Sequence, residues 1–315
     1  MTESKRERIE KAISFRKVLQ AALIKFSKTT GIALQRLRRD AAFEVFTRRV
    51  AASGFFVLKG AHALELRSLE LDELGRIARS TKDLDFLARV KIPDEIIFSA
   101  NTKDGIGKFL IRTLRELSQP PIDSNDRFEF VLNGIVKEIE AQGPSAYGFR
   151  VEVECRLGQE NWEKFLIDIV FGDALVTEID EIKTGRLIAM AGIAPGNIQV
   201  ISTAQHFAEK LHAYTFPRQE GENTRAKDLI DMTTLVRRHS LSPAACVRAI
   251  HIVFAHRATH PIPTKLFPPP ESWKARWPAL AADASLQESL EEAFQTVALF
   301  VKKCLSLDTQ HKEMK

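Results

Sequence analysis

Asp83-Leu84-Asp85-Phe86-Leu87 is the stretch on which the reading turns. Polar and apolar residues alternate there with a period of two, so the segment is expected to form a strand with one wet face. Asp83 and Asp85 must then project to the same side. Two neighbouring carboxylates make an oxygen-rich seat for a hard cation such as Mg2+ or Mn2+, which takes one or two carboxylates together with substrate phosphates. An Asp-x-Asp pair alone more often marks a solvated strand edge, so its weight depends on what flanks it.

Upstream, Phe55-Phe56-Val57-Leu58 is a short apolar run of strand type that stops at Lys59-Gly60, and a helix opens at Ala61-His62 and is expected to run to about Leu74. A helix N-terminus offers free backbone N–H groups to an anion, and glycine allows a phosphate to come close to the backbone. An ordinary strand-to-helix turn with a convenient glycine would read the same way. Downstream, Asp168 is a lone acid in the apolar run Phe165–Phe171. An unpaired buried carboxylate is costly, so Asp168 should meet either a Lys or Arg partner or a metal. Beside the Asp83/Asp85 strand it would complete a three-carboxylate site, able to activate a hydroxyl nucleophile and steady a leaving pyrophosphate.

Outward from this centre, helical spacing of apolar residues predicts two helices between Arg6 and Ala52, broken at Gly31, with Gly54 ending the second. A helix is expected over 101–118, a turn-rich connection begins at Pro120-Pro121, and a hairpin pairs 149–157 with 165–171 across a polar segment, 158–164. Beyond Ala194-Pro195-Gly196 the pattern turns helical, over 203–214, 225–239, 242–254 and 285–305. The expected fold class is α+β: a mixed α/β domain with a mixed sheet over residues 1–198, carrying a basic helical N-terminal segment, and a mostly helical domain over 199–315.

With 315 residues and 44% hydrophobic content the chain can bury a substantial core. Net charge is +5 and sequence pI about 9.1, yet residues 1–50 hold 13 Lys or Arg against 5 Asp or Glu, so the positive charge is concentrated at one end. Such a segment attracts a polyanion through salt-dependent phosphate contacts, although solvated helix faces look alike. Three scattered cysteines, Cys155, Cys246 and Cys304, fit neither a disulfide framework nor a paired-cysteine zinc site. With no secretory signal and no apolar run near the ~18 residues of a membrane span, the expectation is a cytoplasmic protein with no membrane partner. His256 and His260 lack a neighbouring Glu, Gly105-x-Gly107 lacks the rest of a dinucleotide fingerprint, and no P-loop occurs. Trp273 and Trp277, four apart, are read as helix-face packing ahead of base stacking.

Five motifs in order resemble the AbiEii-type nucleotidyltransferase toxins of bacterial toxin-antitoxin and phage-defence systems, within the DNA polymerase β-like superfamily. They are Val57-Leu58-Lys59-Gly60, Arg79-Ser80-Thr81-Lys82-Asp83-Leu84-Asp85-Phe86-Leu87, Ile167-Asp168-Ile169-Val170-Phe171-Gly172-Asp173, Ala208-Glu209-Lys210-Leu211-His212-Ala213 and Arg225-Ala226-Lys227-Asp228-Leu229-Ile230-Asp231. The resemblance implies a polymerase-β-like domain, Asp83, Asp85 and Asp168 as ligands of Mg2+ or Mn2+, and Lys59, Gly60, Ala61 and His62 at the nucleotide. It also implies that Lys210 and Asp228 act in catalysis and that Arg225 and Lys227 contact phosphate. Lys227, Asp228 and Asp231 also read as a plain charge cluster at a helix start. The implied activity moves a nucleoside monophosphate from an NTP to an RNA acceptor, the tRNA 3′ end, and so blocks translation; a cognate antitoxin is the implied partner. In one place the chain departs from the family pattern: Ala61-His62 stand where relatives carry a second Gly followed by Ser or Thr. The terminal-phosphate hydroxyl is thereby replaced by imidazole, which donates to phosphate if protonated. That departure keeps open a catalytically weak or inactive RNA- or protein-binding module, and nucleotidylation of a protein is a further alternative.

Overall fold

The computed structural model describes residues 4–69, 80–98, 101–143, 146–176, 178–218 and 221–313. The expected end of the helix after Gly60, residues 70–74, and Arg79 of the second motif lie outside these.

The two N-terminal helices form as the apolar spacing predicts. Helix α1 (Lys5–Thr30) opens on a capping box in which the Ser4 side chain accepts from the Glu7 amide and Glu7 accepts from the Ser4 amide. It closes on Gly31, whose φ of +75° is the left-handed stop that glycine adopts at little cost. Helix α2 (Leu34–Ala51) buries Leu37, Phe43, Val45, Phe46 and Val50. Then come β1 (Phe56–Lys59), α3 (Gly60–Leu69), β2 (Asp83–Ala88), α4 (Asp94–Ile97) and α5 (Thr102–Ser118). Strands β3 (Phe128–Ile139), β4 (Tyr147–Leu157), β5 (Glu160–Phe171) and β6 (Ile179–Thr184) follow, then α6 (Arg186–Ala189) and β7 (Gly196–Ile201). The C-terminal third holds α7 (Thr203–Thr215), α8 (Ala226–Arg238), α9 (Pro243–Arg257), α10 (Trp277–Asp283) and α11 (Leu290–Glu313).

One seven-stranded sheet takes the order β3-β4-β5-β2-β1-β7-β6. β5 with β2 and β1 with β7 are parallel pairs, and the remaining neighbours are antiparallel. The mixed sheet expected from the sequence is therefore present, and the period-two patterning sets its faces. Leu58, Leu84, Phe86, Phe149, Val151, Ile167 and Ile169 point to one side and join α1, α2 and α5 in the main core. Lys59, Asp83, Asp85, Arg150 and Asp168 alternate with them and therefore occupy the other face.

Three strands differ from the expectation. The connection after Pro120-Pro121 contains β3, in which Phe128, Phe130 and Leu132 are buried and Glu129, Val131 and Asn133 exposed. It is an edge strand, and Val131 on its wet face with Gly134 in its interior blurred the alternation. β6 buries only Ile182 and Thr184 of its six residues, so a polar edge strand left little apolar signal. β7 was legible as neither strand nor helix. Its Leu58↔Val200 pairing with β1 places the whole strand in the sheet, so a division at 198/199 cuts through β7, and the helices begin after Ser202, which caps α7. The β4–β5 hairpin is tighter than expected: Leu157 pairs with Glu160 across Gly158-Gln159, at φ +64° and +67°. Two consecutive positive φ values make the primed turn whose twist matches that of the strands.

A second core, from Leu64, Ala174, Val176 and Ala204 onward, unites α7, α8, α9, α10 and α11 around Phe207, Leu211, Trp273 and Val297. Trp273 and Trp277 are buried in it, 0% and 4% exposed, and donate to the carbonyls of Asn223 and Glu288. This accords with packing and leaves no ring face for a base.

Candidate active site

The three aspartates meet because β2 and β5 pair in parallel with Asp83 opposite Leu166 and Asp85 opposite Asp168. Asp85 and Asp168 stand side by side on adjacent strands, with Asp83 two residues along the same face of β2. Crowding has an electrostatic result. Burial pushes the Asp85 carboxyl up to about 6, the charges of Asp168 and Asp83 add to the rise, and Lys59 and Lys210 oppose it.

Lys59 precedes Gly60 and pairs across the sheet with Asp85 at the backbone level. Its ammonium does not reach into the open site. It is buried 3.2 Å from Asp173 and 3.1 Å from Glu209, and these partners raise its pKa against the downward pull of burial. Gly60 has φ +67°, and a Cβ there would lie 2.7 Å from Cγ of Asp85. The room that glycine leaves above the backbone is thus filled by a carboxylate, where the sequence suggested an approaching phosphate. Ala61 is 6% exposed and His62 1% exposed. The His62 ring packs edge-on to Phe43 and its Nδ1 lies 3.2 Å from Glu65, on the main-core side of α3. The first turn of α3 thus directs His62 inward, toward Phe43 and Glu65.

The other motif residues gather at the meeting of α7 and α8. Lys210 is 2.9 Å from Asp228 and 2.9 Å from Asp231, which sit one turn apart on α8. Arg225, at the N-cap of α8, approaches the second oxygen of Asp228 at 3.8 Å and is half-exposed. Lys210, Arg225 and Asp228 line a cleft of about 490 Å3 with Thr224, Lys227 and Arg276. Its cations and the first amides of α8 give it charge and room that suit a phosphate-bearing anion. The Lys210 charge is felt at Asp85, which ties the cleft to the carboxylates.

Two residues escaped the sequence reading. Arg276 adds a cation to the cleft from just before α10, far outside any motif. Arg150 lies opposite Asp168 across the β4–β5 hairpin and forks onto it, Nε to Oδ1 and Nη2 to Oδ2 both at 2.7 Å. The alternative of an Arg partner for Asp168 is thus realised at the carboxylate site itself. The polar alternation of β4 was the available signal for Arg150, but its register against Asp168 exists only in the folded sheet.

Residues 45–298 match the model of the nucleotidyl transferase AbiEii toxin, of the type IV toxin-antitoxin system. The chain belongs to the AbiEii family. Membership implies transferase activity, a nucleotide substrate and an antitoxin partner. Among solved structures, MenT4, a nucleotidyltransferase toxin from Mycobacterium tuberculosis H37Rv, is 18% identical over 90% of this chain and 98% of its own, at a TM-score of 0.48. No curated protein matches the AbiEii-family chain in sequence. Among its described residues no helix is long and apolar enough to cross a membrane.

The donor chemistry suits a hard divalent cation, although among the described residues no three acidic, His or Cys side chains converge closely enough to hold one. The donor set consists of oxygens only, from three carboxylates on adjacent strands, and the Arg150 guanidinium lies against two of them.

Proposed function

We propose that this AbiEii-family chain transfers a nucleoside monophosphate from an NTP to an RNA acceptor, the tRNA 3′ end, in a reaction that depends on Mg2+ or Mn2+. The register of Asp85 beside Asp168, with Asp83 on the same face, carries the reading. Asp83, Asp85 and Asp168 would hold the ion, which when bound would neutralise charge at the phosphates. The 3′-hydroxyl oxygen forms a bond to the α-phosphorus as the bridging bond to the β-phosphate breaks, and pyrophosphate leaves with the bonding pair. The hydroxyl proton passes to Asp168, which stands beside Asp85 on the neighbouring strand. Lys210, Arg225, Lys227 and Arg276 hold the phosphates in the cleft, and Asp228 orients Lys210. Gly60 makes room for Asp85, and Lys59 steadies that carboxylate by charge. Helix α1, with exposed Lys5, Arg6, Arg8, Lys11, Lys17, Lys25 and Lys28, covers the opposite face of the sheet, so its cations suit the body of a folded RNA more than its reacting end.

Incubation of the purified protein with Mg2+, each labelled NTP and total tRNA tests the proposal. Label should enter RNA with the wild type and fall by at least about 10²-fold with Asp85→Asn, an effect of about 3 kcal/mol on the barrier. Wild type that labels no RNA refutes it, and label in lysate protein would move the acceptor to protein.

A further inference from the structure

We propose that Arg150 is a built-in counterion that closes the carboxylate site in the metal-free protein and passes to the triphosphate when a divalent cation takes its place. This rests on the nucleotidyl-transfer reading above.

The guanidinium commits both oxygens of Asp168 to its fork, and its Nη2 also lies 3.8 Å from Asp83 on the next strand over. A cross-strand pair made only for the hairpin would need the Asp168 contact alone. The reach to Asp83 spreads one positive charge over two of the three carboxylates, which is where a cation is required. Both Asp168 oxygens are engaged by the fork, and among the described residues no group of three acidic, His or Cys side chains converges to grip an ion. On this proposal the fork opens as an ion enters.

Arginine cannot lose its proton to relieve the competition. A divalent cation held by Asp83, Asp85 and Asp168 would repel the guanidinium, and an incoming triphosphate would offer it a new set of negative oxygens. A planar fork binds phosphate as well as it binds carboxylate. The Arg150 side chain is 32% exposed, so it can swing without disturbing the core. Nothing in the carboxylate motif signals such a residue, because it comes from the neighbouring hairpin strand. Arg150 is thus a positioning residue in the metal-free state and a phosphate ligand in the loaded one. Metal and nucleotide binding are coupled through it, and each strengthens the other to the same extent.

Mn2+ binding to the full chain without nucleotide, followed by electron paramagnetic resonance, tests this in wild type, Arg150→Gln, Arg150→Lys and Asp168→Asn. Arg150→Gln should bind Mn2+ about fivefold more tightly than wild type, which is about 1 kcal/mol at 1.4 kcal/mol per tenfold. Arg150→Lys keeps the charge but loses the fork and should fall between them, and it gives the same comparison should the glutamine variant fail to fold. With Mn2+ present, an α,β-non-hydrolysable NTP analogue should bind about fivefold more weakly to Arg150→Gln than to wild type, by the same conversion. Equal or weaker Mn2+ binding in both Arg150 variants, with Asp168→Asn still removing it from wild type, overturns the counterion role and leaves the metal site intact. Mn2+ binding that is indifferent to Asp168→Asn overturns the site itself and this inference with it.

Discussion

At the scale of single residues, two positions connect backbone chemistry to the site. Gly60 is held at a positive φ and its missing Cβ is the space that Asp85 fills. Gly60→Ala should cost about 1 kcal/mol from the left-handed backbone. It should also shift Asp85 enough to slow nucleotide transfer by about 10²-fold, the usual effect of a displacement near 1 Å. A melting curve and the labelled-NTP assay on the folded variant separate the two effects. Lys210 is the shared partner of Asp228 and the fully buried Asp231. Removing it takes the nearest cation from two largely buried carboxylates, so Lys210→Met should lose about 3 kcal/mol in urea unfolding. Lys210→Met/Asp231→Asn should recover much of that stability and none of the transfer. Recovered activity in the double variant would leave Lys210 with a structural role only.

At the scale of elements, α2 and α6 are joined by one buried acid. Glu44 on α2 accepts from the amides of Leu187 at 3.0 Å and Ile188 at 3.1 Å, at the start of α6. Burial nevertheless pushes its carboxyl up to about 7. A raised carboxyl keeps in the folded chain a proton that the unfolded chain releases above its ordinary value of 4.5. Its contribution is therefore fully favourable below pH 4.5 and is lost as pH rises through 7. At about 1.4 kcal/mol per unit the loss is at most about 3 kcal/mol. Glu44→Gln cannot ionise, so its stability relative to wild type should improve between pH 5 and pH 8, as read from urea midpoints at both. A constant difference would show that Glu44 stays charged throughout.

At the scale of the whole molecule, the sheet and the C-terminal helices are tied by four charged side chains that are largely shielded from solvent. Asp173, just after β5, takes Arg257 of α9 at 3.0 and 2.7 Å and Lys59 of β1 at 3.2 Å, while Glu209 of α7 takes Lys59 at 3.1 Å. The two positive and two negative groups balance. Lys59 and Arg257 hold the Asp173 carboxyl well below the usual range although burial works the other way. Asp173→Asn leaves the cations under-compensated and should cost about 3–5 kcal/mol. Trp162 lies in the sheet core, Trp273 and Trp277 in the helical one. Single-tryptophan versions of Asp173→Asn should melt at separate temperatures, and coincident melting would show that the apolar contacts alone couple the two cores.

From the sequence alone came the mixed α/β class, the strands around Asp85 and Asp168, most helices, and the ordered motifs that resemble the AbiEii family. All of these are local: a period of two or of 3.6, a glycine stop, or a short string of residues, each needing only neighbours along the chain. The weakly patterned strands β3, β6 and β7 needed partners to become strands. Only the tertiary structure decided where side chains end up between elements. Lys59 is claimed by Asp173 and Glu209 from 114 and 150 residues away, His62 turns into the core, Arg276 joins the cleft and Arg150 forks onto Asp168. Strand register and helix packing set those distances, and a charged group takes whichever partner they bring within reach.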